Sequence, residues 1–247
     1  MSKYYAEEYS FPVIGYQLKD GKAKLDNIFG TASYMNNNVF VSAAHSIKNA
    51  QESEFAGIAF RDDMSSNTYT YHYIKEAEIF EDFDIGIFTL HNGHKNAKSN
   101  PWSLEKISAL EDVYSMGFPH GYEPALKKIT TRAFKGHIVT SRQFDLFPTE
   151  PDIYELSFHC PKGISGASLK ILGSENIVGF VIGNSATEIV VFSEKEIDES
   201  NGERTVYERV ESTKFGIAIS IQNLMDIKSN ILGGTFREYL LKEQLLK

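Results

Sequence analysis

Cysteine is almost missing from this sequence. Of 247 residues only Cys160 is a cysteine, so no internal disulfide can form. A chain of this length buries enough of its surface to need no covalent staple. A lone cysteine fits a reducing compartment, or an exported chain that dispenses with disulfides. No apolar run approaches the ~20 residues of a membrane-spanning helix, so a helical membrane protein is not expected. The opening stretch, Met1-Ser2-Lys3-Tyr4-Tyr5-Ala6-Glu7-Glu8, is acidic where a secretory leader would be apolar. Cytoplasmic residence is the simplest expectation. Positive charge is also short: 25 Lys and Arg against 33 Asp and Glu leave a net −8. That argues against nucleic acid as a partner, because neutralising phosphates takes clustered Lys and Arg.

Aromatic residues are plentiful, with 13 Tyr and 17 Phe, and together with many Val and Ile they favour β-structure. Short alternating or apolar runs recur between turn signals, as in a barrel or sandwich. Phe11 to Leu18 reads as a first strand. Phe29 to Tyr34 and Val39 to Ser42 read as a hairpin turned by Asn36-Asn37-Asn38, and Ala43 to Ala50 as a short helical turn. Glu54 to Arg61, Thr68 to Ile79 and Ile85 to Leu90 complete a first half. Residues 91 to 112 turn polar and read as a crossing. Further strands are expected near Asp112–Gly117, Leu126–Thr140, Tyr154–Phe158, Ser168–Leu172, Ile177–Ile182, Ile189–Phe192, Thr205–Val210 and Gly216–Ser220. The charged stretch Glu194 to Glu203, with Asn201-Gly202, reads as an exposed hairpin tip. From Ile221 the spacing of Leu224, Ile227, Ile231, Phe236, Leu240 and Leu245 is helical, with Gly233-Gly234 between two pieces. The expected division is a β-domain over 1–95, a connection over 96–112, a second β-domain over 113–220 and a helical segment over 221–247.

Three local settings carry chemistry. His45 follows Ala43-Ala44 at the end of an apolar strand. Asp84 stands in Asp82-Phe83-Asp84-Ile85-Gly86-Ile87-Phe88. Ser165 stands in Gly163-Ile164-Ser165-Gly166-Ala167-Ser168-Leu169. Each alone has an ordinary reading: a helix start, a solvated turn carboxylate with Asp82 and Glu81 as rivals, and a turn serine. Together they make a triad. A serine hydroxyl is a poor nucleophile at neutral pH and needs a base, which needs a third group to fix its tautomer. The chain order His, Asp, Ser matches one of the three known orders of this constellation. Asp84 is preferred over its rivals because an apolar strand begins directly after it. Gly163, two residues before the serine, lets its own N–H and that of Ser165 converge as an oxyanion hole.

The chain resembles the trypsin/chymotrypsin-like serine peptidases. The resemblance is carried by Ala43-Ala44-His45, Asp84-Ile85-Gly86-Ile87 and Gly163-Ile164-Ser165-Gly166. Weaker echoes are Met116-Gly117-Phe118-Pro119, Ile177-Val178-Gly179-Phe180-Val181-Ile182-Gly183 and Lys214-Phe215-Gly216-Ile217-Ala218. The resemblance implies two six-stranded antiparallel Greek-key β-barrels with a C-terminal helix, the active site in the cleft between them, and no cofactor. It also implies a substrate pocket, with His159 at its base, Cys160 in its lining, Lys162 near its rim, and Ile182, Gly183, Asn184 and Gly216 along its walls. No acid stands at that base, so a preference for Arg or Lys is not expected, and an acidic or polar side chain ranks first. Two positions depart from the family pattern: Ile164 replaces the usual Asp or Asn, and Ser168 the usual Pro. Ile164 cannot pair with a freshly cut N-terminus, so activation by such a cut is not expected.

Two functions follow. One is a serine endopeptidase acting on a protein or peptide substrate, with control by an activating protein partner plausible. The other is a catalytically weak or inactive binding module on the same fold. Among the remaining residues, His91-x-x-His94 has Asn-Gly inside it, which favours a turn over a metal pair. His72, His120 and His137 carry no chemical context, and Lys127-Lys128 with Arg132 and Lys135 reads as a solvated strand face.

Overall fold

Strand β1 (Ser10–Lys19) buries its first seven residues and becomes exposed only at its end. Asp20 and Gly21 turn it with positive φ of 53° and 72° into β2 (Lys22–Tyr34). Asn36, Asn37 and Asn38 all have positive φ, a conformation Asn tolerates better than most residues, and they lead into β3 (Val39–Ala43). Helix α1 (Ala44–Gln51) follows, then β4 (Phe55–Arg61), β5 (Tyr69–Phe80) and β6 (Ile85–Leu90). The computed structural model describes residues 9–62, 68–93, 97–123, 128–145, 147–197 and 204–247. The six strands close into a barrel in the order β1-β2-β3-β6-β5-β4. Its interior is aromatic: Phe40 stacks on Phe88 at 5.6 Å, and Phe11 lies 4.9 Å from Phe60.

The second half repeats the plan. After β7 (Asp112–Gly117) comes a small hairpin of β8 (Tyr122–Glu123) and β9 (Lys128–Ile129), then β10 (Arg132–Gln143), β11 (Asp152–Leu156) and β12 (Ser168–Ile171). The last two strands are long: β13 (Ile177–Ile197) and β14 (Arg204–Ser220). The closed order is β10-β11-β14-β13-β12-β7. Numbered within its own half, each barrel therefore runs 1-2-3-6-5-4, so the topology repeats although the sequence does not.

The chain end locks the barrels together. A 3₁₀ turn over Ile221–Leu224, capped by the Ser220 side chain, leads to β15 (Lys228–Ser229), β16 (Gly234–Thr235) and helix α2 (Phe236–Lys242). A capping box of Thr235 and Glu238 starts α2. Phe236 then meets Phe80 of the first barrel at 5.7 Å and Trp102 of the connection at 6.4 Å, while Trp102 meets Phe180 of the second barrel at 5.0 Å. No helix among the described residues is long and apolar enough to cross a membrane.

Three expectations change. The strands read as Ile177–Ile182 and Ile189–Phe192 are one strand, and so are Thr205–Val210 and Gly216–Ser220. The stretch Leu126–Thr140 divides into β9 and β10. The first C-terminal helical piece is a 3₁₀ turn and a two-residue strand, β15, which pairs with β16 across a turn at Gly233, where φ is 69°. The Asn201-Gly202 tip lies outside the described residues.

One buried cation bears on stability. Lys170 on β12 is 2% exposed, donates to Asn100 Oδ1 at 2.6 Å and lies under the rings of Tyr9 and Tyr114. Burial pulls its pKa down from 10.5 to about 8, with the Glu175 charge opposing. The unfolded chain then binds the extra proton between those two values, so stability rises as pH climbs through that window and the penalty is complete below it. Denaturant midpoints from pH 7.5 to 10.5 should show wild type gaining on Lys170→Met across the window; parallel curves would contradict this.

Candidate active site

β3 ends on Ala43, and α1 opens immediately after it, so His45 stands in the first helical turn. The Ala43 backbone is closely approached by the loop that carries Ser165. A Cβ on Gly166 would sit 2.2 Å from Thr31 O and 2.6 Å from Ala43 N. Asp84 follows a 3₁₀ turn over Glu81–Phe83 and takes a left-handed conformation with φ 48°, a strained state for a residue with a side chain. That turn aims its carboxylate back at His45. Asp84 Oδ2 lies 2.6 Å from His45 Nδ1, Oδ1 accepts the His45 backbone N–H at 3.0 Å, and Asp84 O accepts the Ala44 N–H at 2.9 Å. The side chain of Asp84 is 18% exposed and that of His45 is 41% exposed, so the far side of the imidazole stays open. Of the rivals, Glu81 pairs with Lys48, and neither Glu81 nor Asp82 is hydrogen-bonded to His45.

Ser165 comes from the second barrel and is 9% exposed. The loop before it is a turn in which the Ile164 N–H donates to Pro161 O at 3.2 Å. Gly163, third in that turn, has φ 100°, which makes the turn type II. Its orientation is pinned from outside. The Lys162 carbonyl accepts the His120 N–H at 3.2 Å, and the Gly163 carbonyl accepts Thr31 Oγ1 at 2.8 Å. With the Lys162–Gly163 peptide trans, the N–H of Gly163 points away from the Lys162 carbonyl. Among the described residues, neither the Gly163 N–H nor the Ser165 N–H has a protein acceptor. Two unengaged donors two residues apart are what an oxyanion hole requires.

Thr31, on β2, holds this loop to the first barrel and is completely buried. Its Oγ1 donates to Gly163 O and accepts the Phe118 N–H at 3.1 Å. Its own N–H donates to Ser165 O at 2.8 Å, and its carbonyl accepts Ser42 Oγ at 2.7 Å, three residues before His45. Sequence reasoning does not single out Thr31, because nothing local to β2 shows that its hydroxyl meets a loop of the second barrel. No hydrogen bond joins Ser165 Oγ to His45 among the described residues, though the two segments face each other through Gly166 and Ala43.

The expected pocket residues divide. Cys160, Asn184 and Gly216 come together: Asn184 Oδ1 accepts the Cys160 N–H and Asn184 Nδ2 donates to the Cys160 carbonyl, both at 2.7 Å. Cys160 Sγ lies where a Cβ on Gly216 would be, at 2.5 Å. Ile182 is 9% exposed, and Gly183 faces open space. His159 is exposed rather than enclosed, and Lys162 is exposed on the rim of a cavity of about 330 Å³ with Asp26, Ile28, His120 and Tyr122. Burial pushes the Cys160 thiol up to about 12, so it is not a thiolate at neutral pH and has no nucleophilic character there. His94 of the possible metal pair lies outside the described residues. Among those described, no group of three or more His, Cys, Asp or Glu could hold a metal.

No protein-family model matches the chain, and no curated protein matches it in sequence. Solved structures do. The active form of the Rv3671c protease from M. tuberculosis aligns over 88% of this chain and 78% of its own, with TM-score 0.57 and 14% identity. An inactive form of the same protein, a serine-to-alanine mutant, gives TM-score 0.54 and 13% identity over 87% of this chain and 82% of its own. The HtrA-type protease AlgW with a decapeptide gives TM-score 0.58 and 13% identity over 88% of this chain, which spans 62% of AlgW's length. The fold is thus the trypsin-like double barrel.

Gly163→Ala tests the loop geometry. A Cβ there meets Phe118 O at 2.5 Å in a backbone region that disfavours side chains. The variant should fold with a loss of about 1–3 kcal/mol, and Ser165 should react ~10²-fold more slowly with a fluorophosphonate. An unchanged rate would mean that Gly163 does not set the loop.

Proposed function

We propose that this chain is a serine endopeptidase. His45 takes the Ser165 proton as the hydroxyl oxygen attacks a peptide carbonyl. The Gly163 and Ser165 N–H groups receive the oxyanion. His45 passes its proton to the leaving amine, and water then hydrolyses the acyl-enzyme by the same steps. Asp84 holds the imidazole through Nδ1, which leaves Nε2 free to act as base. The observation that carries this reading is the double hold of one carboxylate on His45, at its ring and at its backbone N–H. No cofactor takes part. The HtrA-type neighbours with a bound decapeptide and tripeptide support a peptide or protein as substrate.

A partner-controlled enzyme is the form of this reading we favour. The Asn184–Cys160 bridge spans the expected pocket walls, and Ser165 and His45 are not yet hydrogen-bonded. The same two observations favour the second reading, a binding module in which Ser165 never reacts.

Labelling separates them. A fluorophosphonate should attach to Ser165, as read by peptide mass, and His45→Ala should abolish the adduct. Asp84→Asn should keep the fold and slow acylation by ~10⁴-fold, since the wrong tautomer is then favoured. A folded wild type that never labels, with or without added peptide, supports the binding module instead.

A further inference from the structure

Past the barrel, β13 and β14 continue as a two-stranded ribbon. β14 parts from β11 after the Leu156–Gly216 pair, and from Phe215 out to Arg204 its outer edge pairs with no strand among the described residues. The irregularities of the ribbon fall on β13, which skips a residue between Val181 and Gly183 and again between Val190 and Phe192, while β14 runs through every position in turn. The free edge of β14 is therefore regular. Neither proline nor glycine interrupts residues 204–215. Exposed apolar side chains crowd the same ribbon: Ile189, Val190, Phe192, Val206, Tyr207 and Val210 are each 46% to 58% exposed. A two-stranded ribbon is marginal in water, and a long, regular, uncovered edge is a template for another strand.

The sequence of this edge selects what pairs with it. Opposed residues of an antiparallel pair share a face of the sheet. A regular strand can then meet a second copy of itself only about an axis that passes through one of its residues, and that residue faces its own copy. Centring on Glu208, Arg209 or Glu211 sets like charges against each other, which destabilises the pair. Centring on Val210 does not. It opposes Arg209 to Glu211 twice, Glu208 to Ser212, Tyr207 to Thr213 and Val206 to Lys214, so no like charges meet. Centres farther along the strand leave much of the edge unpaired. Val190 already lies beside Val210 within one ribbon, so the same register lines up a row of valines across the joined sheet, Val190 and Val210 from each copy. On the opposite face, Ile189 beside Glu211 and Phe192 beside Arg209 flank the two Arg–Glu crossings. Within one copy Arg209 reaches Glu211 only at 3.9 Å, and both side chains are largely in water.

We propose that residues 205–215 of β14 pair antiparallel with the same residues of a second copy, about a two-fold axis at Val210, and so join two ribbons into one four-stranded sheet. The pairing does not depend on whether Ser165 reacts.

Sedimentation velocity of the full chain, over a micromolar concentration series, should show a dimer. Arg209→Glu places acid against acid at both crossings and should weaken the dimer roughly tenfold or more. Combining Arg209→Glu with Glu211→Arg should restore it. A thiol placed on the edge reads the register, because Cys160 is buried. With Val210→Cys a short bis-maleimide should link the two chains. With Lys214→Cys it should not, since this register sets Lys214 opposite Val206 and roughly 27 Å from its own copy. A chain that stays monomeric across the series overturns the proposal. So does a dimer that Arg209→Glu leaves intact, or one that the paired exchange fails to restore. A dimer that links through Lys214→Cys, or fails to link through Val210→Cys, overturns it as well.

Discussion

One buried threonine joins the two halves of the site. The first barrel supplies His45 and Asp84, the second supplies Ser165, and Thr31 is hydrogen-bonded to both sides at once, making four bonds through its N–H, its carbonyl and its hydroxyl. Losing its hydroxyl would orphan the Gly163 carbonyl and the Phe118 N–H in a buried place, and an unsatisfied buried polar group costs about 1–3 kcal/mol. The loop orientation therefore depends on how the barrels are seated. Trp102, Phe180 and Phe236 set that seating from the opposite direction, where the connection, the second barrel and the last helix meet.

Strain and support are matched around this hub. Asp84 is held in a left-handed conformation, and Gly163 and Gly166 take positive φ within a few residues of Ser165. Each sits where a Cβ or a relaxed backbone would collide or point elsewhere. Such conformations persist when the surroundings over-determine them. Here the three bonds from Asp84 to residues 44 and 45, and the outside anchors on Lys162 and Gly163, do so.

The site candidates were legible because each sits at a boundary. Asp84 precedes an apolar strand, His45 follows one, and the Gly163–Gly166 run interrupts the pattern of its surroundings. The barrels were legible because burial alternates or runs continuously along their strands. The ribbon was not. Asn184, Ser185 and Thr187 are polar and look like a gap between two strands, and farther out neither face is buried, so no period of two marks the continuation. The C-terminal segment misled for a different reason. Leu224, Ile227 and Ile231 have helical spacing, but burial against two barrels is served as well by a 3₁₀ turn and a short hairpin. The Asn184–Cys160 bridge is a tertiary contact between distant segments, and nothing local to either residue announces it.

Ile164 is fully buried within the second barrel's core, beside the residue proposed to attack. In the zymogen-activated branch of the peptidases this chain resembles, an Asp at that place pairs with a freshly cut N-terminus. The swap changes what the loop responds to. Ionic anchors slacken as salt rises or a carboxylate gains a proton, whereas apolar burial slackens on cooling. With Ile164 as its root, the loop rests on apolar burial, a hold that neither salt nor the protonation of a carboxylate weakens.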